Sequence, residues 1–262
     1  MSGNSVIYGP VPSWRLGRSF GIDLLSTEGK TCSFDCVYCQ LGKTVHPLVE
    51  RKEFVTLSRL AEELGRAKGI EADYITFSGV GEPTLAVNLG QAITLARSAL
   101  GLPAAVLTNS SLMTREGVRR NLALADVVVA KVDAPDEETF HRINRPFIKD
   151  HWNEITQAIK LFREQYKGKL ALQMMFIDAN KQCAGEMAII AERLSPDEVQ
   201  INTPLRPCAV PPLSPEVMHS IMEKFSGLKN VVTVYEAPRP EVTPIDRKET
   251  LRRRPGGDIY PG

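Results

Sequence analysis

Between Phe20 and Tyr235, short apolar runs alternate with longer stretches of helical periodicity, six or seven times over. That alternation constrains the fold more than any other feature, because strands alternating with helices read as βα units of a parallel sheet. Strands are expected at Phe20–Leu25, Tyr74–Phe77, Ala104–Leu107, Asp126–Val132, Lys169–Ile177, Val199–Ile201 and Val231–Tyr235. Helices are expected near Leu57–Ala67, Leu89–Leu100, Glu116–Leu124, Trp152–Tyr166 and Gly185–Leu194. A further helix begins at Pro215 behind a capping Ser214. A closed eightfold barrel typically takes about 250 residues, more than these units supply. The expected class is therefore α/β: a partial (β/α)6 barrel over residues 1–236, with a short N-terminal extension. Residues 237–262 form an Arg- and Pro-rich tail without periodicity and read as a surface extension. Ligands of such sheets sit at the C-terminal ends of the strands.

Composition narrows the function classes. The chain has 262 residues, 43% of them hydrophobic and 24% charged, which is ordinary globular usage with enough material for a full core. Lys plus Arg is 32 against 31 Asp plus Glu, a net charge of +1. That excludes a globally basic nucleic-acid binder and leaves only a local patch. No apolar run is long enough to span a membrane. The first residues lack the basic flank and apolar stretch of a signal peptide, so a cytoplasmic, reducing setting is expected. There, five cysteines, an odd number, argue against a disulfide framework.

Three of the five, Cys32, Cys36 and Cys39, lie on one short loop after the first strand, spaced Cys-x3-Cys-x2-Cys. Thiolates bind soft metals and iron–sulfur clusters. Three on one loop can hold three irons of a [4Fe–4S] cluster and leave the fourth open to a ligand. A structural zinc needs four ligands, and the nearest histidine, His46, stands seven residues past Cys39 in an atypical arrangement. Buried, inert cysteines are the remaining alternative.

The pattern Cys-x3-Cys-x-aromatic-Cys, with Tyr38 as the aromatic, resembles the radical S-adenosylmethionine (SAM) superfamily. The resemblance runs from about Val6 to Tyr235 and implies a TIM-like partial barrel. It implies a [4Fe–4S] cluster on Cys32, Cys36 and Cys39, with Tyr38 close to the adenine of SAM. Gly79-Val80-Gly81-Glu82, after the second strand, resembles the family's Gly-Gly-Glu motif, which binds the amino group of SAM. Val80 separates the glycines, so Gly81-Glu82 is the aligned pair. Glycines there let a ligand approach the backbone, and a carboxylate suits an ammonium group. Asn109, ending the third strand, is either a helix cap or a ligand contact. Lys131 and Asp133 share one side of the fourth strand. They either pair with each other or face the SAM carboxylate and ribose hydroxyls. Asn202 and Arg206 follow the sixth strand and aim at the barrel mouth. Cys208, nearby, is a candidate hydrogen-atom donor or relay, although a lone cysteine is more often a small buried hydrophobe. Cys183 has a weaker claim.

Two arginine-rich segments flank this core. Arg15 and Arg18 stand beside Trp14 ahead of the first strand. Either this segment folds back across the opening, where guanidiniums suit a phosphate or carboxylate, or both arginines sit at the barrel's bottom. Arg247 to Arg254 is basic and reads as a solvated segment or a phosphate-contacting one. Gly9-Pro10-Val11-Pro12-Ser13 and Gly81-Glu82-Pro83-Thr84-Leu85 are similar to relatives of the wyosine-forming tRNA enzyme. That enzyme carries extra cysteines ahead of its radical motif for a second cluster, and this chain has none before Cys32. Glycyl-radical-activating enzymes share the cysteine motif too. The resemblance implies a radical SAM enzyme: reductive cleavage of SAM gives a 5′-deoxyadenosyl radical that abstracts hydrogen from an unidentified substrate, with a nucleotide or tRNA among the candidates. An external electron donor such as ferredoxin or flavodoxin is implied, because there is no second cluster motif. The rival expectation is a non-catalytic iron–sulfur or zinc protein of redox sensing or RNA binding.

Overall fold

The computed structural model describes residues 4–237 and 240–256. The chain's first three residues, residues 238–239 and the end of the tail from 257 lie outside the described residues. In chain order the elements are β1 (Ile7–Ser13), β2 (Gly17–Ile22), β3 (Thr31–Cys32), β4 (His46–Pro47), α1 (Leu57–Arg66), β5 (Tyr74–Phe77), α2 (Leu89–Leu100) and β6 (Ala104–Thr108). There follow α3 (Glu116–Leu122), β7 (Val127–Lys131), α4 (Glu137–Asn144), α5 (Trp152–Gln165), β8 (Lys169–Met175), α6 (Ala184–Leu194), β9 (Glu198–Asn202), α7 (Pro215–Glu223), β10 (Val231–Thr233) and α8 (Arg247–Arg253).

Eight strands form one curled half-barrel sheet in the order β1-β2-β5-β6-β7-β8-β9-β10. Strands β2 to β10 of this sheet run parallel, and β1 joins its edge antiparallel to β2. The six units from β2 to β9 are the expected (β/α)6 arrangement. Period-two alternation gives the sheet two faces. Outward residues such as Ile75, Phe77, Val106, Val128, Leu172 and Ile201 pack with Leu60, Ile93, Ile159 and Phe162 of the helices into the main core. Each such side chain contributes about 1.5–3 kcal/mol on burial. The inward face is apolar only at the bottom. There Leu16, from the β1–β2 turn, plugs the barrel against Ala105, Val127, Val129 and Ala171. Farther up, the inward positions turn polar: Thr76, Asn109, Lys131, Gln173 and Asn202 line a cavity.

Three elements differ from the sequence reading. The first barrel strand is Gly17–Ile22 instead of Phe20–Leu25, and β1 precedes it. Pro10 and Pro12 hide β1, since proline is confined to sheet edges and bulges; β1 is such an edge and carries a register shift between Tyr8 and Val11. Glu137–Asn144, outside the expected helices, is a helix capped by Asp136, whose side chain accepts from the Thr139 N–H. The tail is not merely a surface extension. Its helix α8 buries Arg253, with Ile245 and Asp246 bonded to Gly9 of β1.

Candidate active site

A cavity of about 300 Å³ opens at the C-terminal ends of the strands. Cys32, Cys36, Cys39, Tyr38, Gly81, Glu82, Asn109, Lys131 and Asn202 all line it; Gly79, Asp133 and Cys208 do not. The sequence reading thus converges on one place from five separate strands.

The cysteine loop is anchored at both ends. Its first residue of strand β3, Thr31, donates to the Val80 carbonyl (3.0 Å) and accepts from the Glu82 N–H (3.2 Å). A Cβ on Gly81 would lie 1.6 Å from the Thr31 oxygen, so only glycine fits under the loop. The expectation that these glycines make room for a ligand is corrected on this point. Gly81 makes room for the loop, and Gly79 for the Asp23 side chain, which a Cβ would meet at 2.2 Å. At the far end, Asp35 and Val37 donate to carbonyls at the end of α4, Asn144 and Ile143. His46, the weighed zinc ligand, is exposed and bonds the Glu28 carbonyl with its ring Nε2 (2.9 Å), away from the cavity. Among the described residues, no three His, Cys, Asp or Glu side chains gather tightly enough for a single metal ion.

N–H donors face the sulfurs. Asn109 Nδ2 lies 3.5 Å from Cys32 Sγ and 2.9 Å from Ser33 Oγ. Asn144 Nδ2 lies 3.5 Å from Cys36 Sγ. The Lys30 ammonium, buried by the loop, interacts with all three cysteines. Donors, not acceptors, around sulfur suit thiolates bound to a cationic centre, so the residues present fit an iron–sulfur cluster. Without one, burial and the nearby Glu82 charge push the Cys32 thiol up to about 12. Lys30 and Asn144 were not singled out in the sequence. Neither stands in a motif, and only tertiary structure brings them to the cysteines.

Glu82 is buried, and burial raises its carboxyl pKa. Its Oε1 accepts from Thr84 N–H (3.0 Å), Thr84 Oγ1 (2.7 Å) and Thr108 Oγ1 (2.7 Å), and its Oε2 from Asn109 N–H (2.6 Å). All four donors are neutral, and among the described residues no salt bridge reaches this carboxylate. Lys131 and Asp133 do not pair. The Lys131 Nζ lies 4.8 Å from the centre of the Tyr38 ring. Asp133 sits behind that ring, beside a smaller hollow, and its oxygens are taken up by the Tyr38 hydroxyl, Asn144 Nδ2 (2.9 Å) and the Met175 N–H (2.9 Å). The ribose-facing expectation for Asp133 is therefore replaced by a positioning one: it fixes Tyr38.

Asn202 accepts the Thr203 N–H on the cavity wall. The Cys208 thiol donates to the Val210 carbonyl (3.1 Å) and packs with Tyr38, Ile143 and Met175 instead of opening into the cavity. The expected relay role is corrected for that reason, and Cys183 is a core residue. The two N-terminal arginines separate. Arg18 is tied to Asp73 (2.9 Å) and Glu71 (3.4 Å) outside the barrel's bottom. Arg15, in the β1–β2 turn, stacks on Trp14 and lines the cavity.

Comparison with known proteins agrees with this picture. The profile of the Radical SAM superfamily matches residues 29–188. A UPF0026 protein of Methanocaldococcus jannaschii is 37% identical over 234 residues, covering 86% of this chain and 72% of its own. Among solved structures, SuiB of Streptococcus suis bound to S-adenosylmethionine aligns with a TM-score of 0.63 at 12% identity, over 83% of this chain and 50% of that one. An archaeal TYW1 aligns at 0.59 and 14% identity, over 80% of this chain and 72% of that one. At such identities the likeness is one of fold, and the chain spans about half the length of SuiB. Among the described residues no helix is long and apolar enough to cross a membrane. The chain belongs to the radical SAM superfamily, within its UPF0026 family.

Proposed function

We propose that this protein is a radical SAM enzyme in which Cys32, Cys36 and Cys39 would hold a [4Fe–4S] cluster that would supply the reductive cleavage of SAM. When bound and reduced, the cluster supplies the electron that splits SAM into methionine and the 5′-deoxyadenosyl radical, which takes a hydrogen atom from the substrate. One observation carries this reading: the three cysteines open onto the same cavity as Glu82, a buried carboxylate that no salt bridge reaches among the described residues.

The chain's own residues then divide the work. Glu82 meets the SAM ammonium. A cation there would offset the cost that burial places on the carboxylate. Lys131 meets the SAM carboxylate from across Tyr38. Tyr38, held by Asp133 and Asn144, flanks the adenine. Asn109 ties Cys32 to Ser33 and to Glu82, coupling the two halves of the site, while Asn202 bounds the opposite wall. A small external donor of the ferredoxin or flavodoxin kind supplies the electrons.

The test is anaerobic reconstitution, followed by dithionite and SAM. The expected result is release of 5′-deoxyadenosine. Glu82→Ala should weaken SAM binding about tenfold to a hundredfold, as loss of a charge-assisted bond of roughly 1.5–3 kcal/mol implies. Unchanged affinity in a folded Glu82→Ala protein would contradict the assignment.

A further inference from the structure

The inner face of the half-barrel carries neutral polar side chains deeper than the groups that the proposed function gives to SAM. Glu82 and Asn109 follow β5 and β6, and Lys131 ends β7. Gln173 stands two positions before the end of β8, Thr76 one before the end of β5, and Ser19 within β2. All three line the cavity, together with the apolar Leu107 and Val129. All three are buried, Gln173 at 7% exposure. None stands in a motif, and the proposed function assigns none of them a role.

Burying a carboxamide is costly unless its donor and its acceptor are met. Asn144 and Asn180 are buried too, and their amides are met inside the protein. Asn144 Nδ2 donates to Asp133 (2.9 Å), and Asn180 Nδ2 to the Asp133 and Met175 carbonyls (2.9 Å each). Gln173 differs. Its backbone is paired in the sheet between Lys131 of β7 and Gln200 of β9. Yet among the described residues no hydrogen bond reaches either end of its side chain. Ser19 Oγ and Thr76 Oγ1 bond each other (2.7 Å). One bond between two hydroxyls uses one of their two hydrogens, so the pair still presents an O–H and spare lone pairs.

We infer that Gln173 binds the substrate and reads a neutral cis-amide edge, an N–H beside a C=O in one plane, while the Ser19–Thr76 pair on β2 and β5 holds a further polar atom of the same molecule. This rests on the radical SAM reading above. A primary carboxamide offers N–H and C=O side by side. A ring amide returns the same two groups in reverse, so two bonds form at once. A carboxylate would answer Nε2 and leave Oε1 against another acceptor, and an ammonium would do the opposite. Leu107 and Val129 supply apolar surface for the faces of a flat ring. The substrate is thereby anchored deep in the barrel, with its remaining part toward the strand ends, where the cysteines and Glu82 open. Pyrimidine bases and cyclised peptides both carry such an edge.

Ligand-observed NMR titration tests this with two probes, uracil and 2,5-diketopiperazine, each added to the anaerobically reconstituted chain in the presence of SAM. Saturable binding of one probe is expected, uracil marking a pyrimidine source and diketopiperazine a cyclised peptide. The N-methylated form of that probe, which lacks the N–H, should bind at least tenfold more weakly, because the buried Gln173 acceptor is then left unpaired. Gln173→Met should weaken the probe tenfold or more and leave SAM affinity as in the wild type. Gln182→Met removes the same amide from an exposed position, where it bonds the Ala179 carbonyl, and should leave probe binding unchanged. If Gln173→Met fails to fold, Thr76→Val, which trades a hydroxyl for a methyl, carries the test with a severalfold loss. Absence of saturable binding, equal binding of the N-methylated probe, or equal weakening by Gln182→Met would overturn the inference. So would a parallel loss of SAM affinity in Gln173→Met, which would give this residue to the cofactor. Release of 5′-deoxyadenosine by the wild type is measured separately. Release without probe binding retires the substrate edge alone, while probe binding without release retires the radical reading and, with it, the place of Gln173 as a substrate residue.

Discussion

At the scale of single residues, Lys30 departs most from its place in the sequence. A lysine two positions before a cysteine looks like any solvated charge, yet its side chain is 3% exposed. Its Nζ donates to the Gly42 carbonyl (3.3 Å) and faces the three cysteines. A positive charge beside a redox centre stabilises the state with one more electron. Lys30→Met should therefore lower the midpoint potential of the reconstituted cluster, and Lys30→Arg should hold it nearer the wild-type value. Potentiometric titration followed by electron paramagnetic resonance reads the shift, with about 59 mV corresponding to each tenfold change in the one-electron equilibrium. An unchanged potential in Lys30→Met would remove Lys30 from the site's electrostatics. The contrast with Cys32, Cys36 and Cys39 is physical. Those three are legible because their ligand geometry is local, contained in one loop. Lys30, Asn144 and Gln40 are not, because their partners are set by how the loop folds against α4 and α8.

At the scale of elements, legibility followed the apolar stripe. Helix α2 was read to the residue and α5 to within one, because each buries a periodic row such as Ile155, Ile159 and Phe162. Helix α4 carried a different and readable signal: Asp136 as cap with Glu137 and Glu138 in the first turn, a helix start by capping and by dipole. Helix α8 had no stripe to show. It is held by charge. Arg253 Nε donates to Asp23 (2.9 Å), its Nη1 to Glu249, and its Nη2 to the Ser5 carbonyl, with the guanidinium 5.2 Å from the Tyr8 ring centre. Asp23 in turn accepts from the Leu25 and Ser26 N–H groups where the cysteine-loop segment leaves β2. The tail is thereby wired to the base of the site. Arg253→Met would leave two carboxylates around a lost charge, and Asp23 is itself buried. Breaking a buried pair this way costs about 3–5 kcal/mol, or roughly 6–20 °C in melting temperature for a chain near this size. A melting curve checks it, and an unshifted midpoint would mean that α8 is not anchored through Arg253.

At the scale of the whole molecule, the half-barrel does not depend on the three sulfurs of the cluster loop. The main core runs through Ile75, Phe77, Val106, Val128, Leu172 and Ile201 with the helices outside them, and the cysteine loop enters it through Cys32 and Phe34, with Cys36 packed against it. The loop is also fastened by backbone bonds, from Thr31 to Val80, Lys52 to Leu85 and Leu48 to Cys32. None of these needs a sulfur. In the apoprotein the Cys32 thiol is neutral at pH 7, with its pKa pushed up to about 12 by burial and then by Glu82. Its replacement therefore strands no buried charge. The triple variant Cys32→Ala, Cys36→Ala, Cys39→Ala should consequently lose all cluster iron and sulfide, yet melt as one cooperative unit close to the wild-type apoprotein. The cost of three small trimmed side chains is on the order of 2 kcal/mol in total. Cys183→Ala and Cys208→Ala should keep their iron, because Cys183 is buried in the core and Cys208 is turned to Val210. Iron and sulfide analysis after anaerobic reconstitution, together with apoprotein melting, gives both readings. Loss of cooperative melting in the triple variant would make the three cysteine side chains essential to the folding core. Loss of iron in Cys208→Ala would return that thiol to the cluster.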